Sequence, residues 1–452
     1  RITAQLIDVR SNYHLWSRTY DRKMADLFAV YEEIAFAITD KLRIALGEET
    51  VQEPAVLATN TDAYDHYLQG RSILERADDE ARVLRADRLF ERSLEFEPEY
   101  ARALAGRCEA NTLMYEFSRS VQWVEAAEDY CRQALQVDDS LADARVALAR
   151  LYTLAGRQDE ALSELESARK RDTDNPDIWR HLGQVYAARG ASDEAEDAFL
   201  RARQIASGDV RIYHELGAFY FDIGRYDQAV SVYSEMVDIS GGSSAAYTGL
   251  GASLTIQGKF DEAAAAYRMA IQNDPNPRTY ANAGSAYFYQ GRFDDAALMM
   301  QEAVDLSPED FRLVGNLADA VRFLPGKSEE AKRLYQRAAD LAEAALAVNR
   351  EDLDVIYMLP HFYAQLDRPQ EAREAIETAL ALGPDHNYVY YYAGLAWLEI
   401  GEEDEALSAF RNAVTLGYPW ELLVADPQLK GFGSSKDFRK IGQGLGHDSQ
   451  GT

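Results

Sequence analysis

A small residue returns along this chain at a nearly constant step, with proline standing in its place once. Ala149, Gly183, Gly217, Gly251, Gly284, Ala318, Pro360 and Gly394 are separated by 34, 34, 34, 33, 34, 42 and 34 residues. A period of this length makes each unit one supersecondary element, which buries its apolar face only by stacking on its neighbours. Twelve or thirteen residues after each small residue stands an alanine: Ala161, Ala195, Ala229, Ala263, Ala296, Ala331, Ala372 and Ala406. A bulky residue follows it, namely Leu165, Phe199, Tyr233, Tyr267, Met300, Tyr335, Ile376 or Phe410.

This spacing predicts two helices per unit. Small residues let two helix axes approach, and the bulky residue fills the space beside them. Gly156, Gly190, Gly224, Gly258, Gly291 and Gly401 fall where the chain turns between helices, a place for left-handed backbone. Carboxylate pairs such as Asp159-Glu160, Asp193-Glu194 and Asp261-Glu262 open the second helices, where the helix dipole favours negative charge.

The run Trp179-x-x-Leu182-Gly183-x-x-Tyr186-x-x-x-Gly190, followed by Ala195, Phe199 and Ala202, resembles the tetratricopeptide repeat. That resemblance implies an all-α, superhelical solenoid of about ten helix-turn-helix units, with a small N-terminal α+β fragment and a C-terminal cap. Two degenerate units are expected over 62–141, six units over 142–350 and two more over 351–416, before a cap and tail over 417–452. The step of 42 predicts a lengthened second helix from about Ser328 to Val348 and a break in pitch near 340–352.

Residues 1–48 do not follow the repeat. Ile2–Val9 and His14–Tyr20 read as two strands, and Asp26–Leu46 as an amphipathic helix. The blocks Arg1–Asp8, His14-Leu15-Trp16, Tyr20-Asp21-Arg22 and Asp26-Leu27-Phe28 resemble the end of a TolB-like domain. Such domains precede tetratricopeptide arrays in bacterial CadC-like regulators and adenylate cyclase-like proteins. The resemblance implies that the segment is the C-terminal part of that domain, that 49–61 is a linker and that an effector lies upstream. Compartment stays open: cytoplasmic, or periplasmic if a membrane anchor precedes the chain as in CadC-like relatives.

Lys and Arg number 47 against 76 Asp and Glu, a net charge of −29, so a phosphate backbone is repelled and nucleic-acid binding is not expected. No apolar run approaches the ~18–20 residues that cross a bilayer. No histidine pair has zinc spacing, and Gly326-Lys327-Ser328 lacks the earlier glycine of a phosphate loop, so no cofactor or metal is expected. Cys108 and Cys131 read better as buried free thiols, with a bridge possible in an oxidising compartment. No nucleophile, paired-carboxylate or nucleotide motif stands out, and the chain reads as a non-enzyme.

Recognition by surface remains. With the recurrent small residue counted as position eight, positions two, five, six, nine, twelve and thirteen of each first helix face the concave groove of such arrays. They supply Arg180, His181 and Gln184, then Arg211, His214 and Phe221. Further on they supply Arg278, Asn282, Phe288 and Tyr289, then Arg312, Asn316 and Arg322. Arginine forks and side-chain amides suit an extended peptide. Tyr388 and Tyr391 read as an aromatic contact patch or as core. The function expected is protein–protein interaction, as the regulatory arm of a bacterial signalling protein. The alternatives are a self-associating scaffold or the non-catalytic part of a cyclase or glycosyltransferase. Partners are a protein or peptide and, in the second case, another copy of the chain.

Overall fold

The computed structural model describes residues 2–8, 13–20, 60–77 and 79–443. The expected helix over Asp26–Leu46 and the 49–59 part of the linker lie outside the described residues. The chain divides into two compact units, Arg1–Ile205 and Ala206–Thr452.

In the first unit, β1 (Ile2–Asp8) and β2 (Tyr13–Tyr20) pair antiparallel, with Ile2 opposite Tyr20 and an irregularity between Leu6 and Ile7. Four helical hairpins follow: α1 (Thr61–Leu74) with α2 (Glu80–Phe96), α3 (Ala101–Ser118) with α4 (Gln122–Val137), α5 (Ala142–Leu154) with α6 (Gln158–Arg169), and α7 (Pro176–Ala188) with α8 (Ser192–Ile205).

The second unit holds six more. These are α9 (Val210–Asp222) with α10 (Tyr226–Ser240), α11 (Ser244–Ile256) with α12 (Phe260–Asn273), and α13 (Pro277–Tyr289) with α14 (Phe293–Leu306). Then come α15 (Phe311–Arg322) with α16 (Ser328–Val348), α17 (Leu353–Gln365) with α18 (Pro369–Leu382), and α19 (Asn387–Glu399) with α20 (Glu403–Thr415). Helix α16 runs for 21 residues, and Ala342 is buried on the part that extends past an ordinary second helix. After the last hairpin come α21 (Trp420–Ala425), two 3-10 turns (Pro427–Leu429 and Phe432–Ser434) and α22 (Lys436–Gln443).

The reason for the repeat lies in single contacts. The ring of Phe199 lies against Gly183 so closely that an added Cβ would meet it at 2.8 Å. Tyr233 on Gly217, Tyr267 on Gly251 and Phe410 on Gly394 repeat the arrangement at 2.5–2.9 Å. Each ring is almost fully buried and contributes roughly 1.5–3 kcal/mol of apolar burial. The turns between helices hold φ of +73° at Gly190, Gly258 and Gly291, a region an L side chain enters at a cost of about 1 kcal/mol or more. The hairpin of α17 and α18 places Asp367 there instead, at φ +57°.

The cysteines correct one expectation. Cys108 on α3 and Cys131 on α4 form a disulfide, with 5.2 Å between their Cα atoms, where buried free thiols were expected. Both side chains are buried within one hairpin, and close approach of its helices sets their Cα atoms at bridging distance. Among the described residues no helix is long and apolar enough to cross a membrane.

Candidate functional site

The first helices of hairpins five, six and seven enclose a cleft of about 580 Å³. Its origin is a run of small side chains on α11. Ala245, Thr248, Gly249 and Ala252 hold positions two, five, six and nine there. The helices on either side carry larger groups at positions two and six, Arg211 and Glu215 on α9 and Arg278 and Asn282 on α13, so α11 forms a floor between two walls. His214, Phe221 and Asp222 of α9 make one wall, and Arg278 and Asn282 of α13 the other. The Tyr233 ring reaches the floor because Gly249 has no Cβ; one placed there would meet the ring at 2.4 Å.

Charge in the cleft follows from how α13 begins. Helices α9 and α15 are capped by Asp209 and Asp310, two residues ahead of Arg211 and Arg312. Each carboxylate accepts a bidentate fork from that arginine: Nε and Nη2 of Arg211 lie 3.0 and 2.6 Å from Asp209, and those of Arg312 lie 3.0 and 2.8 Å from Asp310. Burial works against the Asp310 carboxylate, yet the Arg312 fork holds its pKa below the usual range. Helix α13 has the neutral Asn276 at the same place. Among the described residues, the exposed Arg278 guanidinium therefore has no ion pair or hydrogen bond, and the half-buried Asn282 amide has no hydrogen bond. Across the cleft, burial lowers the His214 pKa, so the imidazole is neutral at pH 7, and raises that of Asp222. Burial also raises the Tyr233 hydroxyl to about 12. The site offers one unpaired cation and one free amide beside an aromatic floor.

The other expected groove residues are placed differently. In the first unit, Arg180 and His181 are buried and belong to a hydrogen-bonded network. Arg180 Nη2 donates to Asp177 at 2.9 Å and to His181 Nε2 at 2.7 Å. A guanidinium can only donate, so Nε2 accepts, Nδ1 carries the proton, and it donates to Gln184 Oε1 at 2.7 Å. In the second unit Arg322 pairs with Glu399 at 3.1 Å, and Asn316 makes no side-chain hydrogen bond among the described residues. Phe288 corrects its assignment to the groove surface: it is 7 % exposed, edge-on to Phe293 and Phe323. The aromatic pair separates in the same way. Tyr388 is 40 % exposed, whereas Tyr391 is buried, stacked on Tyr418 at 4.4 Å, and donates a 2.6 Å hydrogen bond to Asp426. Tyr289 stacks on Phe260 and faces the segment that follows the last hairpin.

Models of the tetratricopeptide repeat match residues 154–218, 210–241, 244–277, 277–310 and 362–417. This chain is a tetratricopeptide-repeat protein. The tetratricopeptide repeat is typically a non-catalytic module, and proteins built from it generally mediate protein–protein interaction. A Rhizobium meliloti (strain 1021) protein named as an adenylate cyclase is 32% identical over 170 residues, covering 36% of this chain. The chain spans only 28% of that relative's length. Among solved structures, the human IFIT1 dimer with PPP-AAAA is similar over 79% of this chain and 81% of its own, at 16% identity and a TM-score of 0.46. The Cut9-Hcn1 hetero-tetramer of the APC/C covers 89% of this chain and 81% of its own at 16% identity and a TM-score of 0.39. YrrB, a tetratricopeptide-repeat protein with an unusual peptide-binding site, covers 40% of this chain and 94% of its own at 22% identity and a TM-score of 0.34.

Two features of this repeat protein's cleft escape the sequence reading. Asp222 holds position thirteen of its helix, so the count that selected Phe221 at position twelve reaches it too. Tyr233 fills the intra-repeat core position; its exposure to the cleft is signalled only by Gly249 two residues before Gly251.

Proposed function

We propose that this tetratricopeptide-repeat protein binds an extended segment of a partner protein in the cleft between α9, α11 and α13. An acidic side chain of that segment meets Arg278, and Asn282 reads its backbone. The single observation that supports this reading is the missing aspartate ahead of Arg278. Where Arg211 and Arg312 are neutralised within their own helices, Arg278 keeps its charge for something else. A charge-assisted fork to a carboxylate contributes about 1.5–3 kcal/mol, roughly 10- to 100-fold in affinity. Phe221 and Tyr233 offer apolar contact for a neighbouring side chain.

The wider role is that of a regulatory arm in a larger bacterial signalling or transcription-regulatory protein. The TolB-like resemblance of residues 1–48 and the relative named as an adenylate cyclase both point that way. Selection of random peptides displayed on phage against the purified chain tests the binding reading. Peptides enriched in Asp or Glu, which bind Arg312→Glu normally and Arg278→Glu at least tenfold more weakly, are the expected result. Peptides without acidic residues, or binding indifferent to Arg278, would overturn it.

A further inference from the structure

A cap for a helical stack needs only to cover the last hairpin, and α22 does this: Phe438 and Ile441 are buried in one cluster with Phe410 and Ala413. The segment between α20 and α22 does more. Trp420, Leu422 and Leu423 share an apolar cluster with Ile256, Phe260 and Tyr289, which stand at the turns of hairpins six and seven. Those turns lie more than 120 residues earlier in the chain. Helices α21 and α11 are in contact. The segment thus crosses from the tenth hairpin to the sixth, over part of the surface to which the repeat pattern assigns partner binding.

Three observations distinguish it from ordinary core. First, a cleft of about 420 Å³ opens along its seam with the repeats, lined by Tyr289 and Phe293 of the repeats and by Val424 and Leu429 of the segment. Second, the segment begins and ends at glycines in left-handed backbone, Gly417 at φ +93° and Gly431 at φ +109°, and an added Cβ would meet open space at either. Such residues absorb the dihedral change of a hinge without rearranging their neighbours. Third, its seam holds a buried carboxylate, Asp426, which accepts a hydrogen bond from the Tyr391 hydroxyl.

We propose that Tyr418–Lys430 is a strap, hinged at Gly417 and Gly431, that occupies the groove at hairpins six and seven and lifts when a longer partner segment competes for that surface. The strap leaves the cleft of α9, α11 and α13 open and covers the groove at Tyr289 beyond it. This inference stands apart from the role of Arg278, because it concerns what the chain itself places on the next stretch of groove.

The test uses the full chain and, as probe, a fluorescent peptide copying residues 418–430. Asp426→Ala with Leu429→Ala loosens the strap from its own side and leaves the groove native. Hydrogen exchange in the unaltered chain should show strap amides opening at least tenfold faster than those of α19 and α20. In the variant they should open at least tenfold faster again while α19 and α20 keep their protection. The variant should bind the peptide at least tenfold more tightly than the unaltered chain, with exchange slowed at Tyr289–Phe293. Strap amides that exchange in step with α19 and α20, or a variant that loses those helices, would show a fixed part of the fold and overturn the proposal. So would a peptide that both proteins treat alike, including by not binding.

Discussion

Asn276 caps the helix that carries Arg278 without pairing with it. The Asn276 Oδ1 accepts hydrogen bonds from the Thr279 N–H and hydroxyl, both at 3.0 Å, and no carboxylate is left to take the guanidinium. Asp209 and Asp310 combine both tasks, accepting from a backbone N–H and from the arginine fork together.

Asn276→Asp therefore closes the site without disturbing the fold. Asparagine and aspartate cap about equally well, so stability should stay within about 0.5 kcal/mol. The new carboxylate should draw Arg278 into the fork seen at Arg211 and Arg312. Affinity for an acidic peptide should fall at least tenfold in a fluorescence titration, with the thermal midpoint unchanged.

Gly249→Ala should destabilise. In a helix interior the change ordinarily gains about 0.5–1 kcal/mol. Here the new methyl meets the Tyr233 ring at 2.4–2.7 Å, and the ring is already held against Gly217. Overpacking of this kind costs about 1–3 kcal/mol. Urea denaturation reads the loss, and Ala252→Ser on the same floor serves as a control expected to have little effect.

Cys108→Ala with Cys131→Ala removes a bridge between residues 23 apart. In the chain-entropy account a loop of this size is worth about 3 kcal/mol. The expected loss is confined to the unit ending at Ile205, so hydrogen exchange should rise in α3 and α4 and leave α9–α20 as before.

Docking of the Tyr418–Lys430 strap should weaken as pH rises. Burial lifts the Asp426 pKa to about 6, partly offset by the hydrogen bonds from Tyr391 and the Gln428 N–H; Asp319 adds to the rise and His361 opposes it. An exposed aspartate titrates near 3.9. The docked state thus holds its proton longer than the undocked one. Its advantage is complete below about pH 4, declines between about 4 and 6, and is level above. Strap exchange rates, corrected for intrinsic chemistry, should rise across that window in the unaltered chain and stay flat in Asp426→Asn.

The repeat is legible in the sequence because its cause is local and recurs. A glycine or alanine must face each bulky ring, as at Gly183 with Phe199 and Gly394 with Phe410, and the spacing copies that contact from unit to unit. Groove positions follow from the same count, which finds His214, Phe221, Arg278 and Asn282 around one cleft. The count gives direction along a helix but not burial, so Phe288 and Tyr391 share a periodicity with exposed neighbours and still turn inward. The pairing of Cys108 with Cys131 depends on the distance between two helix axes, which no residue pattern states. Contact of Leu422 and Leu423 with Ile256 and Phe260 depends on how the stacked hairpins of one unit curve, a sum over many small angles.

The most direct measurement is a charge exchange at Arg278. For an acidic peptide selected by the unaltered chain, Arg278→Glu should weaken binding at least tenfold. Replacing the peptide's acidic residue by arginine should restore affinity on Arg278→Glu while abolishing it on the unaltered chain. Arg278→Glu binding the original peptide as tightly as the unaltered chain would contradict the account.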